Sequence, residues 1–263
     1  MRSFRVLLAA LATVVLCAIA APSRASFGTN FTDQWWNPNE SGWGAAVLQQ
    51  YDTLFVDIFV YGADGKPVWY TASAVLQAQT GRTLFTGDLY VTSGPWFAGF
   101  FNPAAVAKRL VGTLQFDAGS VDTATLTYSV DGLFVTKSIQ RQLWTYEDFS
   151  GSYYGGLIYD QTSCANSANN GHVEQLGSFQ ISHAVDNSFS LSLQSTLGNC
   201  AVAGNYSQLG HMGTVQANYS CGGGINGTMT LYELERTGTG MTGRFVASSN
   251  ACDASGSLGG VQR

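Results

Sequence analysis

The chain has 263 residues, of which 31 are glycine, 13% are aromatic and only 11% are charged, with a formal net charge of −5. This length allows one large or two modest domains, and a glycine-rich, charge-poor composition argues against a helical bundle and for a sheet-rich protein. An acidic balance repels phosphate backbones, and Lys108-Arg109 is the one basic cluster, so nucleic acid is excluded as a partner.

In chain order, residues 1–25 carry Arg2 and Arg5, an apolar run from Val6 to Ala21, and Ser23-Arg24-Ala25 ahead of Ser26. This is the pattern of a cleaved secretory signal peptide; the apolar run is too short to span a bilayer, so no transmembrane anchor is expected after cleavage. A lipid anchor on Cys17 is disfavoured because Leu16 stands where a small residue would be needed. Cleavage would remove three arginines, Arg2, Arg5 and Arg24, taking the net charge from −5 to −8. The expected location is secreted, periplasmic or at the cell exterior.

Residues 26–32 read as a short polar lead-in to the first domain, 26–146. Trp35, Trp36 and Trp43 flank a turn built from Asn37, Pro38, Asn39, Glu40, Ser41 and Gly42, each residue type favouring turns for its own backbone reason. Strands follow over about 42–50, 53–61, 67–76, 82–92, 108–117, 121–130 and 133–144, with Asp64-Gly65 and Asp131-Gly132 as hairpin signals. The segment 93–107 is the least regular and is expected to be an ordered loop with one helical turn. In 53–61, Leu54, Val56, Ile58 and Val60 share one face, and Phe55, Asp57, Phe59 and Tyr61 the other. A carboxylate among rings needs water or a partner. Asp57 is therefore expected at a wet rim, or paired with Arg82, Arg109 or Arg141, or else orienting a ligand in an aromatic cleft.

The run from Trp35 to Gly44, with Phe55–Tyr61, Asp64–Pro67, Trp69-Tyr70 and the later segments Val111–Leu114, Ala124–Gly132 and Lys137–Gln142, resembles a repeat found in exported bacterial proteins of unassigned function. The resemblance covers roughly residues 33–144. It implies a domain and a compartment but no catalytic residue.

Glu147–Ser150 reads as a linker, and a second domain occupies 151–263. Its strands are expected over about 151–160, 173–183, 187–194, 200–209, 212–221, 226–236, 240–248 and 255–262. Repeated Gly-x-aromatic or Gly-x-apolar segments at Gly204, Gly227 and Gly243 are similar in architecture to avidin- and lipocalin-like barrels. The fold class is all-β, two antiparallel meander barrels or compact sandwiches in tandem. Four cysteines remain after the signal, Cys164, Cys200, Cys221 and Cys252, an even count that reads as two disulfides in an exported chain. Sequence alone leaves three connectivities open; adjacent pairing, Cys164 with Cys200 and Cys221 with Cys252, is favoured because it suits a meander. No C-x-x-C spacing suggests zinc.

No nucleophile elbow occurs, and His172, His183 and His211 lie far apart in sequence, which reads as surface or turn histidine rather than a helical metal pair. No metal or other cofactor is implied. The functional reading is a non-catalytic binding or interaction module for carbohydrate or a small apolar ligand. Trp36, Asp57 and Trp96 are the candidate ligand contacts, and at least three of Trp35, Trp36, Trp43, Trp69 and Trp96 are expected in the core. Two alternatives accompany it: a polysaccharide hydrolase using Glu40 and Asp57 as its carboxylate pair, and a structural envelope protein with both barrels filled.

Overall fold

The structure, a computed structural model, describes residues 28–78 and 80–263; the signal segment 1–25 and Cys17 lie outside the described residues. Two closed antiparallel barrels of eight strands follow one another. The first comprises β1 (Asp33–Trp36), β2 (Gly44–Gln50), β3 (Thr53–Tyr61), β4 (Pro67–Leu76), β5 (Thr83–Ser93), β6 (Ala107–Ala118), β7 (Thr123–Val130) and β8 (Leu133–Arg141). The second comprises β9 (Gly151–Thr162), β10 (Gly171–His183), β11 (Ser188–Ser195), β12 (Gly198–Leu209), β13 (Met212–Cys221), β14 (Ile225–Arg236), β15 (Gly240–Ser249) and β16 (Asp253–Gln262). Both are meanders, and the sandwich alternative is set aside. The loop after β5 holds the expected helical turn at Pro103–Ala105. Among the described residues no helix is long and apolar enough to cross a membrane.

The first barrel has one strand more than expected. Trp35 and Trp36, read from sequence as flanking a turn, form β1, which closes the barrel by pairing Trp35 with Arg141 and Trp36 with Gln140 of β8. Four residues are too few to show an alternation, and the strand that fixes them is about a hundred residues away.

Inward alternation fills this barrel. Trp35 is fully buried and meets Phe116 edge-on at 5.0 Å, while Phe31 lies 5.9 Å from Phe85 and 5.6 Å from Phe116. Leu54, Val56, Ile58, Leu89, Leu114 and Leu126 complete the core. The segment before β1 is thus no polar lead-in, because Phe31 is part of the core. Phe55 and Tyr61, on the outer face of β3, are exposed.

The segment 147–150 is likewise more than a linker. Phe149 is fully buried in the floor of the second barrel, 5.8 Å from Tyr206, and its carbonyl accepts a hydrogen bond from the Tyr153 hydroxyl at 2.9 Å. Phe189 and His183 pack on the same group. Large rings therefore close the end of the second barrel nearest the first.

Where the barrels meet, Arg141 is fully buried over the Trp35 ring at 4.9 Å. Its Nε donates to the Val121 carbonyl at 2.8 Å, Nη2 to the Asn30 carbonyl at 2.6 Å, and Nη1 to Asp33 at 3.2 Å and to the Thr32 carbonyl at 3.3 Å. Asp33 in turn accepts from His211 Nδ1 at 2.7 Å, from the turn between β12 and β13. Thr29 donates to Glu233 of β14, and Gln208 Nε2 donates to the Thr145 carbonyl at 3.0 Å.

Candidate functional site

The second barrel is filled only at its floor. Toward the end remote from the first barrel its interior widens into a cavity of about 420 Å³, reached past the connections β9–β10, β11–β12, β13–β14 and β15–β16. The cause is side-chain size. Phe179, Phe189 and Tyr206 point inward near the floor, whereas Ala247 and Ala254 occupy inward positions above them. Inward glycines have a second effect: a Cβ on Gly204 would collide with the Gln216 carbonyl of β13. The bare glycine allows that close strand approach, a common device where a sheet must coil into a small barrel.

The lining includes Leu157, Val202, Met229 and Phe245, with Tyr159, Gln161, Gln175, Tyr219 and Ser249 as its polar members, and no charged side chain contributes to it. Burial raises the Tyr159 pKa, so the phenol stays a protonated donor. Neither the Tyr159 nor the Tyr219 hydroxyl makes a hydrogen bond to protein among the described residues. Such a chamber suits an uncharged apolar molecule with one or two polar atoms, since an ionised group would lose its hydration without a counter-charge.

Two disulfides hold the mouth. Cys200 joins Cys221 across the β12–β13 ladder, and Cys164, just beyond β9, joins Cys252, just before β16. The sequence-based pairing of Cys164 with Cys200 and Cys221 with Cys252 is therefore corrected. Adjacent pairing assumes an open meander, but closure of the barrel pairs β16 with β9 and brings the first and last cysteines together. In the strand order of the closed barrel the β12–β13 and β16–β9 seams stand opposite each other. The two bridges thus brace opposite sides of the rim.

The residues singled out from sequence as ligand contacts, Trp36, Asp57 and Trp96, all belong to the first barrel, and none lines this cavity. Asp57 lies on the outer face of β3, and burial among its neighbours raises its pKa. Its expected arginine partners are engaged elsewhere: Arg82 with Asp117, Arg109 with Asp131 at 2.6 Å, and Arg141 with Asp33. Trp96 is 70% exposed and Trp69 58% exposed, Trp36 and Trp43 are half-buried, and only Trp35 is core. The expectation of three or more buried rings among the five is corrected accordingly.

The Trp motif is a self-bonded turn. Glu40 N donates to the Asn37 carbonyl at 3.0 Å and Asn39 N to Asn37 Oδ1 at 2.9 Å, with Pro38 between them. Glu40 Oε2 accepts from Trp43 Nε1 at 3.0 Å and from Lys137 Nζ at 2.6 Å, and the Lys137 bond holds the Glu40 pKa below its usual value. Gly42, after the exposed Ser41, has φ 112°, a conformation that side chains disfavour. A carboxylate bound to its own turn is poorly placed to act as a hydrolase acid.

The histidines separate. His172 is exposed between Asp160 and Glu174, which raise its pKa; His183 rests 4.3 Å from Tyr206; and His211, on a turn as expected, binds Asp33 at the barrel junction. Among the described residues no three His, Cys, Asp or Glu side chains cluster as a metal site. Sequence reasoning missed the cavity lining, because its inward alanines Ala247 and Ala254 carry no motif of their own; the first barrel also turns Ala45, Ala72, Ala74 and Ala124 into its core. No known protein family model matches this chain, and no curated protein is similar to it.

Proposed function

We propose that the protein is an exported binding protein whose second barrel takes up a small, uncharged, apolar ligand, with the first barrel as its rigid partner. The observation that carries this reading is the uncharged cavity of about 420 Å³, open at one end and braced by two disulfides. A volume in this range suits a drug-sized molecule, and an eight-stranded barrel is wide enough to enclose one. Export is supported by the residues of the 1–25 segment and by the disulfides, which persist in oxidising compartments. The resemblance of residues 33–144 to exported bacterial repeats agrees in compartment and spans the same stretch as the first barrel.

Titration with the neutral dye N-phenyl-1-naphthylamine tests the proposal. Residues 26–263 should enhance its emission with saturable, single-site binding. Ala247→Trp, which places an indole in the chamber, should abolish that binding while the circular dichroism spectrum and melting remain those of a folded barrel pair. Absence of enhancement, or undiminished binding by a folded Ala247→Trp protein, overturns the reading.

A further inference from the structure

Opposite the barrel junction, the free end of the first barrel gathers the turns 37–43, 62–66 and 131–132 and the loop 94–106. Antiparallel pairing places them together: Gly44 lies across from Phe59, Thr71 from Tyr90, and Ser93 from Ala107. This end is crowned by apolar side chains with no core behind them. Phe97 and Phe100 are each 92% exposed, and Trp96, Phe101, Leu133 and Phe134 stand out beside them. Single exposed hydrophobics need no explanation, but a cluster on the tips of neighbouring loops does.

The loop is not slack. Gly99 N donates to the Trp96 carbonyl at 3.1 Å, Ala105 N to the Asn102 carbonyl at 3.0 Å, Val106 N to the Pro103 carbonyl at 3.2 Å, and Ala104 N to Asn102 Oδ1 at 3.1 Å. Two consecutive tight turns therefore hold the rings outward and satisfy several of their own amides. A segment entering the headgroup region needs that property, because unsatisfied backbone groups are costly where water is scarce.

Charge selects the occupant. All three lysines of the chain, Lys66, Lys108 and Lys137, lie on this end together with Arg109, against Glu40, Asp64 and Asp131. Lys66, Arg109 and Lys137 are paired there with Asp64, Asp131 and Glu40, which leaves Lys108 as the cation of this end outside an ion pair among the described residues. Lys108 Nζ sits 5.4 Å from the Tyr90 ring centroid, beside the aromatic loop. An apolar loop tip with Lys108, outside these ion pairs, at its root suits an anionic lipid surface, with the acidic remainder of the molecule directed away from it.

We infer that this end of the first barrel docks on anionic membrane surfaces by inserting the Trp96–Phe101 loop tip. Sedimentation with large unilamellar vesicles tests it, using residues 26–263, which contain both closed barrels. The protein should sediment with vesicles of equal parts phosphatidylglycerol and phosphatidylcholine, and less with phosphatidylcholine alone. Phe97→Ser and Phe100→Ser should each lower the partition coefficient by about tenfold or more, from the transfer free energy of one ring, without changing the melting temperature. Trp144→Ser, an exposed ring remote from this end, should bind as the parent does, and Lys108→Glu should weaken binding to the anionic vesicles only. Failure of the parent to sediment, or equal sedimentation of the two serine variants, overturns the inference. So does a vesicle-free dimer that those variants abolish, since the patch would then serve a second copy of the chain.

Discussion

Replacing Arg141 with Met should separate a structural from an incidental role for the charge at the barrel junction. The guanidinium is fully buried, donates to three backbone carbonyls and to Asp33, and has Asp122 Oδ1 3.6 Å from its Nε. A methionine fills similar volume but leaves those carbonyls without donors and two carboxylates without a counter-charge. Removing one partner of a buried pair costs about 3–5 kcal/mol, and for a cooperative unit of this size that lowers the melting temperature by roughly 6–20 °C. Thermal melts followed by far-ultraviolet circular dichroism would measure it. Arg141→Lys should fall between parent and Met variant, because an ammonium cannot reach the Val121, Asn30 and Thr32 carbonyls together. Pairing Arg141→Met with Asp33→Asn should cost less than the sum of the single changes. A loss below about 1 kcal/mol for Arg141→Met would show that the pair merely offsets its own desolvation, and the reasoning would fail.

Burial raises Asp122 to a pKa of about 6, with Arg141 only partly opposing it; the folded protein holds this proton more tightly than the unfolded chain, so stability should fall as pH rises from about 4 through 6, and Asp122→Asn should flatten that part of a melting-temperature profile. The exposed His172, whose pKa is also raised, acts in the same direction, and a His172→Ala background isolates the Asp122 contribution. Trp35→Ala should destabilise by about 3–5 kcal/mol in urea unfolding, and Trp43→Ala by less than half of that, since only the first ring is fully buried. Replacing Cys164 and Cys252 by Ala should cost about 4–5 kcal/mol and replacing Cys200 and Cys221 about 3 kcal/mol in the chain-entropy model, following sequence separations of 88 and 21; equal losses would reject that account of the difference.

Much of the fold could be read from residues alone. The alternation of Leu54, Val56 and Ile58 against Phe55, Asp57 and Phe59 divides β3 into the two faces the barrel uses, without saying which turns inward, and Asp64-Gly65 and Asp131-Gly132 mark real hairpins. What escaped was set by closure, which a local pattern does not encode. β1 is a strand only because β8 returns to it, Phe31 is core only because the barrel end lies beneath it, and Cys164 meets Cys252 only because β16 meets β9. The candidate site was misplaced for a related reason: tryptophan draws attention in a sequence, whereas small lining residues such as Ala247 and Ala254 matter through the space they leave.

Covalent bracing on opposite sides of a mouth has a kinetic consequence. Under the proposed binding role, walls braced in this way would resist spreading, and passage would depend on the swing of individual side chains such as Leu197 and Met229 and on the run Gly222-Gly223-Gly224 at the mouth. Uptake should then discriminate by cross-section more than by length, and thiol reductants should loosen retention well before they unravel the strands.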